Sequence, residues 1–157
     1  MGIDSPVAPK NMSYLLKIIR PHIGVVLNAG LTHSSSFDHL VKDTSPLRRI
    51  EKLIGVIAKE KMQLAKGVRP GGVAVFNIDQ KEFLAQKKDV TVRQITFGRS
   101  GKANLQILDS IVTRRGFMLK FSYQGQIYRL GLVDVFPQAY SYTFAGAVAA
   151  VAAVGIP

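Results

Sequence analysis

The strongest constraint on the fold lies between Ser45 and Gly67, where apolar residues recur at helical spacing without a break. Ser45 offers a capping oxygen, and Pro46 suits the first helical position because its missing N–H would have no partner there. Leu47, Ile50, Leu53, Ile54, Ile57, Ala58, Met62 and Ala65 keep one face apolar, and Gly67 ends the run. A short continuous apolar stretch stands on either side. Residues 23–27 precede the helix, and residues 73–76 follow the turn Pro70-Gly71-Gly72. Such runs read as buried strands. Strand, helix and strand in that order place the chain among proteins built on a parallel sheet.

The remaining segments extend this frame. Residues 9–19 read as a short helix with Tyr14, Leu15, Ile18 and Ile19 on one face, stopped by Pro21. Residues 31–45 are polar and read as loop. A short helix is expected over 79–86 and a third strand over 90–97. Strands are expected over 105–113, 117–123 and 126–133, with turns at Arg115-Gly116 and Gln124-Gly125. Phe136-Pro137 leads into a last helix over 142–154. The order predicts one α/β domain over residues 1–157: a mostly parallel sheet flanked by helices, plus a small antiparallel strand layer. The first helix has no strand before it, so a strand is expected upstream.

Composition narrows the function classes. The chain has 157 residues, 47% apolar and 20% charged, which suits a globular domain rather than a disordered one. It has no cysteine, which excludes a disulfide framework and a thiolate zinc site and fits a reducing, cytoplasmic setting. The start, Met1 to Pro6, lacks the basic and apolar stretches of a signal peptide. The apolar stretch 143–157 is shorter than the ~20 residues of a membrane span and reads as a buried helix. The net charge of +11 favours anionic partners. The cations are spread along the chain in pairs such as Arg48-Arg49, Lys87-Lys88 and Arg114-Arg115. No basic stripe carries interleaved aromatics, so nucleic acid is disfavoured.

Several residues carry candidate chemistry. Gly98-Arg99-Ser100-Gly101-Lys102 looks like a phosphate loop but fails its pattern. Two residues separate the glycines instead of four, Ala103 follows the lysine, and a strand follows the loop. Asn28 ends a buried strand, and ligands of open α/β sheets gather at such ends. His33, in the loop after it, suits a metal or a phosphate oxygen, or is a surface histidine bonded to its neighbours; His22 and His39 have weaker cases. Lys61 lies near Ile57, Met62 and Ala65 on the long helix. It is expected to face partly inward, with a lowered pKa, although lysines there usually snorkel to the surface. Asn77 and Asp79 follow the second strand directly. They suit a ligand, a side-chain turn or a helix cap, the cap being favoured on local grounds.

Together these pieces resemble one family. Gly24 to Asn28 form a strand ending in Asn, followed by a loop with His33 and a helix carrying Ala58-Lys59-Glu60-Lys61. The turn Gly71-Gly72 then leads to a strand ending Asn77-Ile78-Asp79, followed by Thr96-Phe97-Gly98, antiparallel strands and an alanine-rich helix. In that order they resemble the central ATPase domain of the Mur ligases, over nearly the whole chain. The likeness is greatest to the branch that adds D-alanyl-D-alanine to a UDP-linked peptide. The resemblance implies ATP and magnesium as cofactors, with a UDP-linked peptidoglycan precursor and D-alanyl-D-alanine as partners in the complete enzyme. It implies that ATP phosphorylates a substrate carboxylate and an amine displaces the phosphate. By the same resemblance His33 is the magnesium-binding histidine and Lys61 the lysine that is carbamylated. Asn28, Asn77 and Asp79 lie near the nucleotide, with Asn77 close to the adenine.

The departures are equally specific. The family's phosphate loop is absent, and its catalytic glutamate is expected just before Met1. The loop from His33 to Lys61 is longer than usual. The family's Gly-x-His-Asn pattern before the last helix is replaced by residues 136–144, Phe-Pro-Gln-Ala-Tyr-Ser-Tyr-Thr-Phe. The chain is therefore expected to be part of such a ligase and inactive alone. The alternatives are a non-catalytic α/β binding module derived from one and, less favoured, a basic nucleic-acid-binding domain.

Overall fold

Two layers of helix enclose one six-stranded sheet in the computed structural model, which describes residues 5–32, 34–134 and 140–155. The strands lie in chain order: β1 (Ile23–Val26), β2 (Val73–Asn77), β3 (Arg93–Gly98), β4 (Leu105–Thr113), β5 (Gly116–Tyr123) and β6 (Gln126–Val133). Pairing from β1 through β4 is parallel, and from β4 through β6 antiparallel. The antiparallel strands are thus joined edge to edge with the parallel ones. Only Phe97 and Gly98 pair across β3 and β4, opposite Leu105 and Gln106. Because the overlap is so short, β4 runs on in the direction of β3 and carries the antiparallel ribbon past the carboxyl ends of the parallel strands.

Alternation along β2 assigns the two faces, since successive side chains point to opposite sides. Ala74 and Phe76 join a core formed with Leu53, Ile57, Ala58 and Met62 of α2 (Pro46–Lys66). Val73 and Val75 join Ile95, Phe97, Leu105, Ala145 and Ala149 beneath α4 (Ser141–Ala153). Every residue of β2 is buried, as expected of a strand covered on both faces. Gly146 lets α4 lie close to the sheet: a Cβ there would stand 2.5 Å from Leu27 Cδ2 and 3.2 Å from the Phe97 ring. Among the described residues, no helix is long and apolar enough to cross a membrane.

The long helix spans Pro46–Lys66, as its pattern predicts, although the Ser45 side chain makes no capping bond and Leu47 is 78% exposed. Three local expectations are corrected. The first helix, α1 (Met12–Ile19), starts at Met12 because Asn11 caps it, its side chain accepting from the Tyr14 N–H at 3.2 Å. Of the residues expected on one face, Tyr14, Ile18 and Ile19 are exposed and Leu15 is half-buried, and Met12 is the buried residue of the helix. The polar segment expected as loop holds a 3-10 helix over Ser34–Leu40, driven by Phe37, which is 1% exposed and part of the core. The third strand begins at Arg93 rather than residue 90, because a 3-10 turn over Lys87–Asp89 occupies the approach. The segment Phe136-Pro137 lies outside the described residues.

Candidate functional site

Strands β1, β2 and β3 run parallel and end at the same edge of the sheet, where open α/β folds bind ligands. The three exit loops are tied together there by side chains. After β1, the Asn28 carbonyl accepts from Lys61 Nζ of α2 at 2.7 Å. The next residue, Ala29, is held at both backbone groups by Gln80: its N–H donates to Oε1 at 2.8 Å, and its carbonyl accepts from Nε2 at 2.6 Å. After β2, Asn77 Oδ1 accepts from the Asp79 N–H at 2.9 Å, a side-chain turn. The expected helix cap is not what Asn77 makes. The short helix α3 (Lys81–Leu84) begins later and has Gln80 at its cap position.

Asp79 reaches across to the loop after β3. Its carboxylate accepts from the backbone N–H of Arg99 at 2.5 Å and of Ser100 at 2.9 Å, and from the Tyr142 hydroxyl at the start of α4 at 2.9 Å. A carboxylate bonded to two backbone N–H groups is a firm anchor, because charge-assisted bonds are the strong ones. Gly98 makes the approach feasible. Its φ is +155°, and a Cβ there would stand 2.6 Å from Asp79 Oδ1. The segment that mimics a phosphate loop in sequence is thus a loop fixed by Asp79. Its far end is fixed by Asn104 Oδ1, which accepts from the Thr96 N–H and Thr96 hydroxyl at 2.8 Å each and so replaces a strand rung. Arg99 Nη2 donates to Ser110 Oγ at 2.9 Å and links the loop to the ribbon.

Two groups at this rim have shifted acidities. Desolvation lowers the Lys61 pKa below its usual value, since partial burial penalises the ammonium. Burial, and then its bond to the Asp79 carboxylate, raises Tyr142 above the usual phenol range.

The candidate residues therefore divide. Lys61 and Asn28 are in direct contact, through the Asn28 backbone rather than its side chain. Asn77 and Asp79 sit at the end of the neighbouring strand, and Gln80 connects the two groups. Asn77 is 6% exposed, and its Nδ2 donates to no described residue. His33 lies outside the described residues. Sequence reasoning misses the parts played by Gln80, Gly98 and Tyr142. Their partners are 51, 19 and 63 positions away, beyond any local pattern. The one available signal is the Thr96-Phe97-Gly98 match, whose glycine has a steric reason here.

Magnesium places demands that these residues do not meet. Among the described residues, no three His, Asp or Glu side chains are grouped to hold a metal ion. Asp79 is engaged by three donors, and Lys61 is itself a cation donor. The described residues do not by themselves fit magnesium.

An α/β domain with a stitched carboxyl rim is the class that fold and site define. More narrowly, the chain belongs to the Mur ligase middle domain family, whose model matches residues 50–153. A curated relative, the UDP-N-acetylmuramoyl-tripeptide–D-alanyl-D-alanine ligase of Buchnera aphidicola subsp. Baizongia pistaciae, is 29% identical over 123 residues. That match covers 76% of this chain and 24% of the relative, so the chain spans about a quarter of its length. Among solved structures, the MurF ligase of Thermotoga maritima in complex with ADP superposes with a TM-score of 0.72 at 18% identity. The match covers 93% of this chain and 30% of that one. The D-alanyl-D-alanyl ligase structure from Acinetobacter baumannii gives a TM-score of 0.65 at 16% identity, over 90% of this chain and 28% of that one. At such identities these two likenesses establish the fold.

Proposed function

We propose that this chain forms part of an ATP-dependent ligase that adds D-alanyl-D-alanine, or an amino acid, to a UDP-linked peptidoglycan precursor through an acyl phosphate. Its share of the work is the adenine side of the nucleotide site. The observation that carries this reading is the convergence of Asn28, Lys61, Asn77 and Asp79 on one strand-end rim in a family member. The ADP complex of the Thermotoga ligase supports a nucleotide as the ligand.

Each residue has a role consistent with its contacts. Asn77 spends its oxygen on the Asp79 N–H, which leaves its amide N–H groups to donate to a purine ring nitrogen. Asp79 acts on the nucleotide indirectly, by fixing the loop over 99–100. Lys61, with its depressed pKa, is a neutral amine more often than an ordinary lysine, and only the neutral amine adds to carbon dioxide. Carbamylation there would turn a cation into an anion beside the β1 exit. His33, by the resemblance the magnesium-binding histidine, lies outside the described residues.

Within these 157 residues there is no Gly-x-x-x-x-Gly-Lys-Ser/Thr sequence. Phosphoryl transfer depends on such preorganised donors around the transferred group. A polypeptide of these residues alone, mixed with ATP, magnesium, the UDP-linked precursor and D-alanyl-D-alanine, is expected to release no phosphate above the background rate. Sustained ligation by that polypeptide would overturn the reading of it as one part of the catalyst. The same mixture distinguishes the binding-module alternative only if activity appears, so the nucleotide itself is the sharper probe.

A further inference from the structure

A second cleft lies at the opposite end of β3 from the rim. It encloses about 490 Å³ between the β5–β6 turn and the last turns of α4. Val148, Val151 and Ala152 of α4 form its apolar floor, and Phe121 and Tyr128 form a wall. The two rings are stacked, with centroids 5.4 Å apart and planes at 17°. Among the described residues Arg93 is its charged lining residue, and no carboxylate lines it. Arg93 opens β3 and shares a face with Ile95 and Phe97, the face that α4 covers. Among the described residues its guanidinium makes no hydrogen bond or ion pair. The remaining polar lining comes from Tyr123 and Gln124.

We propose that this cleft is a binding site for a small aromatic carboxylate. The ring lies between the Phe121–Tyr128 wall and the helix floor, and the carboxylate pairs with Arg93. The volume is in the range of small-molecule sites, and an apolar enclosure with few polar groups is their usual composition. Arg93 is exposed at the mouth of the cleft, and its planar fork matches the two carboxylate oxygens. The rings supply flat surface, which favours an aromatic body over a branched aliphatic one. Gly98, at the rim, is five residues along the strand from Arg93, about 16 Å at the usual strand rise. The site is therefore separate from the proposed nucleotide site and does not depend on it.

The test is an amide chemical-shift titration of the 157-residue chain with 2-naphthoate, and separately with neutral 2-naphthamide. Naphthoate is expected to shift Tyr123, Gln124, Tyr128 and Val151 saturably, with ADP present or absent. Arg93→Gln is expected to weaken naphthoate about tenfold while leaving naphthamide unchanged, the latter showing that the cleft is still formed. Val148→Trp, which fills the floor, is expected to abolish binding of both. Naphthoate binding that survives Arg93→Gln at full strength would overturn the proposal, as would saturable shifts elsewhere or none. Competition between naphthoate and ADP would overturn the separation of the two sites. Failure of ADP alone to bind would leave this cleft standing and count only against the nucleotide reading.

Discussion

Replacing Gly98 with alanine is expected to destabilise the domain by about 3 kcal/mol, a large loss for a position with no side chain to remove. Two effects combine. A residue with a Cβ is strained at the backbone angle Gly98 adopts, φ +155°. The new methyl group would also stand 2.6 Å from Asp79 Oδ1 and 2.7 Å from its Cγ. That carboxylate cannot step aside freely, because Arg99 N–H, Ser100 N–H and the Tyr142 hydroxyl all donate to it. Relief therefore means breaking charge-assisted hydrogen bonds as well as bending the backbone. Asp79→Ala alone is expected to cost about 1–2 kcal/mol, since the freed N–H groups lie near solvent. In the double variant the clash has no partner, so the two losses should fall short of their sum by about 1 kcal/mol. Urea denaturation of the four proteins measures this coupling. Strictly additive losses would show that Gly98 and Asp79 do not act on one another as the geometry requires.

The neighbouring residue gives the second large effect. Phe97 is fully buried under α4 and makes the ring contact that Gly146 permits. Phe97→Ala is expected to cost about 3–5 kcal/mol, because the cavity it leaves lies between a helix and a sheet that cannot both collapse into it. The loss should not be confined to the core. Tyr142 at the start of α4 bonds to Asp79, so loosening α4 withdraws one of the donors that hold the rim. Amide exchange should therefore accelerate at Arg99 and Ser100 as well as along α4. A variant that loses stability while those two amides keep their protection would separate the helix from the rim and contradict the link.

What the sequence makes legible depends on the range of the interactions. Periodicity places α2 from Pro46 to Lys66 and the fully buried β2 to within one residue, because both are written in local apolar patterns. The Gln124-Gly125 turn is equally legible: both residues have positive φ, and glycine is the residue that adopts it without strain. Phe37 is invisible to such reading because one buried ring in a polar segment has no period. The exposure of Tyr14, Ile18 and Ile19 on α1 is illegible for a related reason. Helical spacing shows which residues share a face, and packing decides whether that face is covered. At the rim, the partial burial of Lys61 and the lowered pKa that desolvation gives it match the expectation, while its bond to the Asn28 carbonyl is not written in the helix pattern. The partners of Asp79 and Gln80 are illegible, because they are brought together by the parallel order of β1, β2 and β3 and not by spacing in the chain.

If the carboxyl rim of β1–β3 is the adenine side of a nucleotide site, as proposed, ADP binds there. An amide chemical-shift titration with ADP tests it directly. Weak but saturable binding is predicted, with a Kd of about 1 mM in a polypeptide that has no phosphate loop of its own. The shifts should concentrate at Asn77, Asp79, Gln80, Arg99 and Ser100, and Asn77→Leu should remove them while leaving the spectrum folded. ADP shifts that saturate away from these residues, that persist in Asn77→Leu, or that never appear would contradict it.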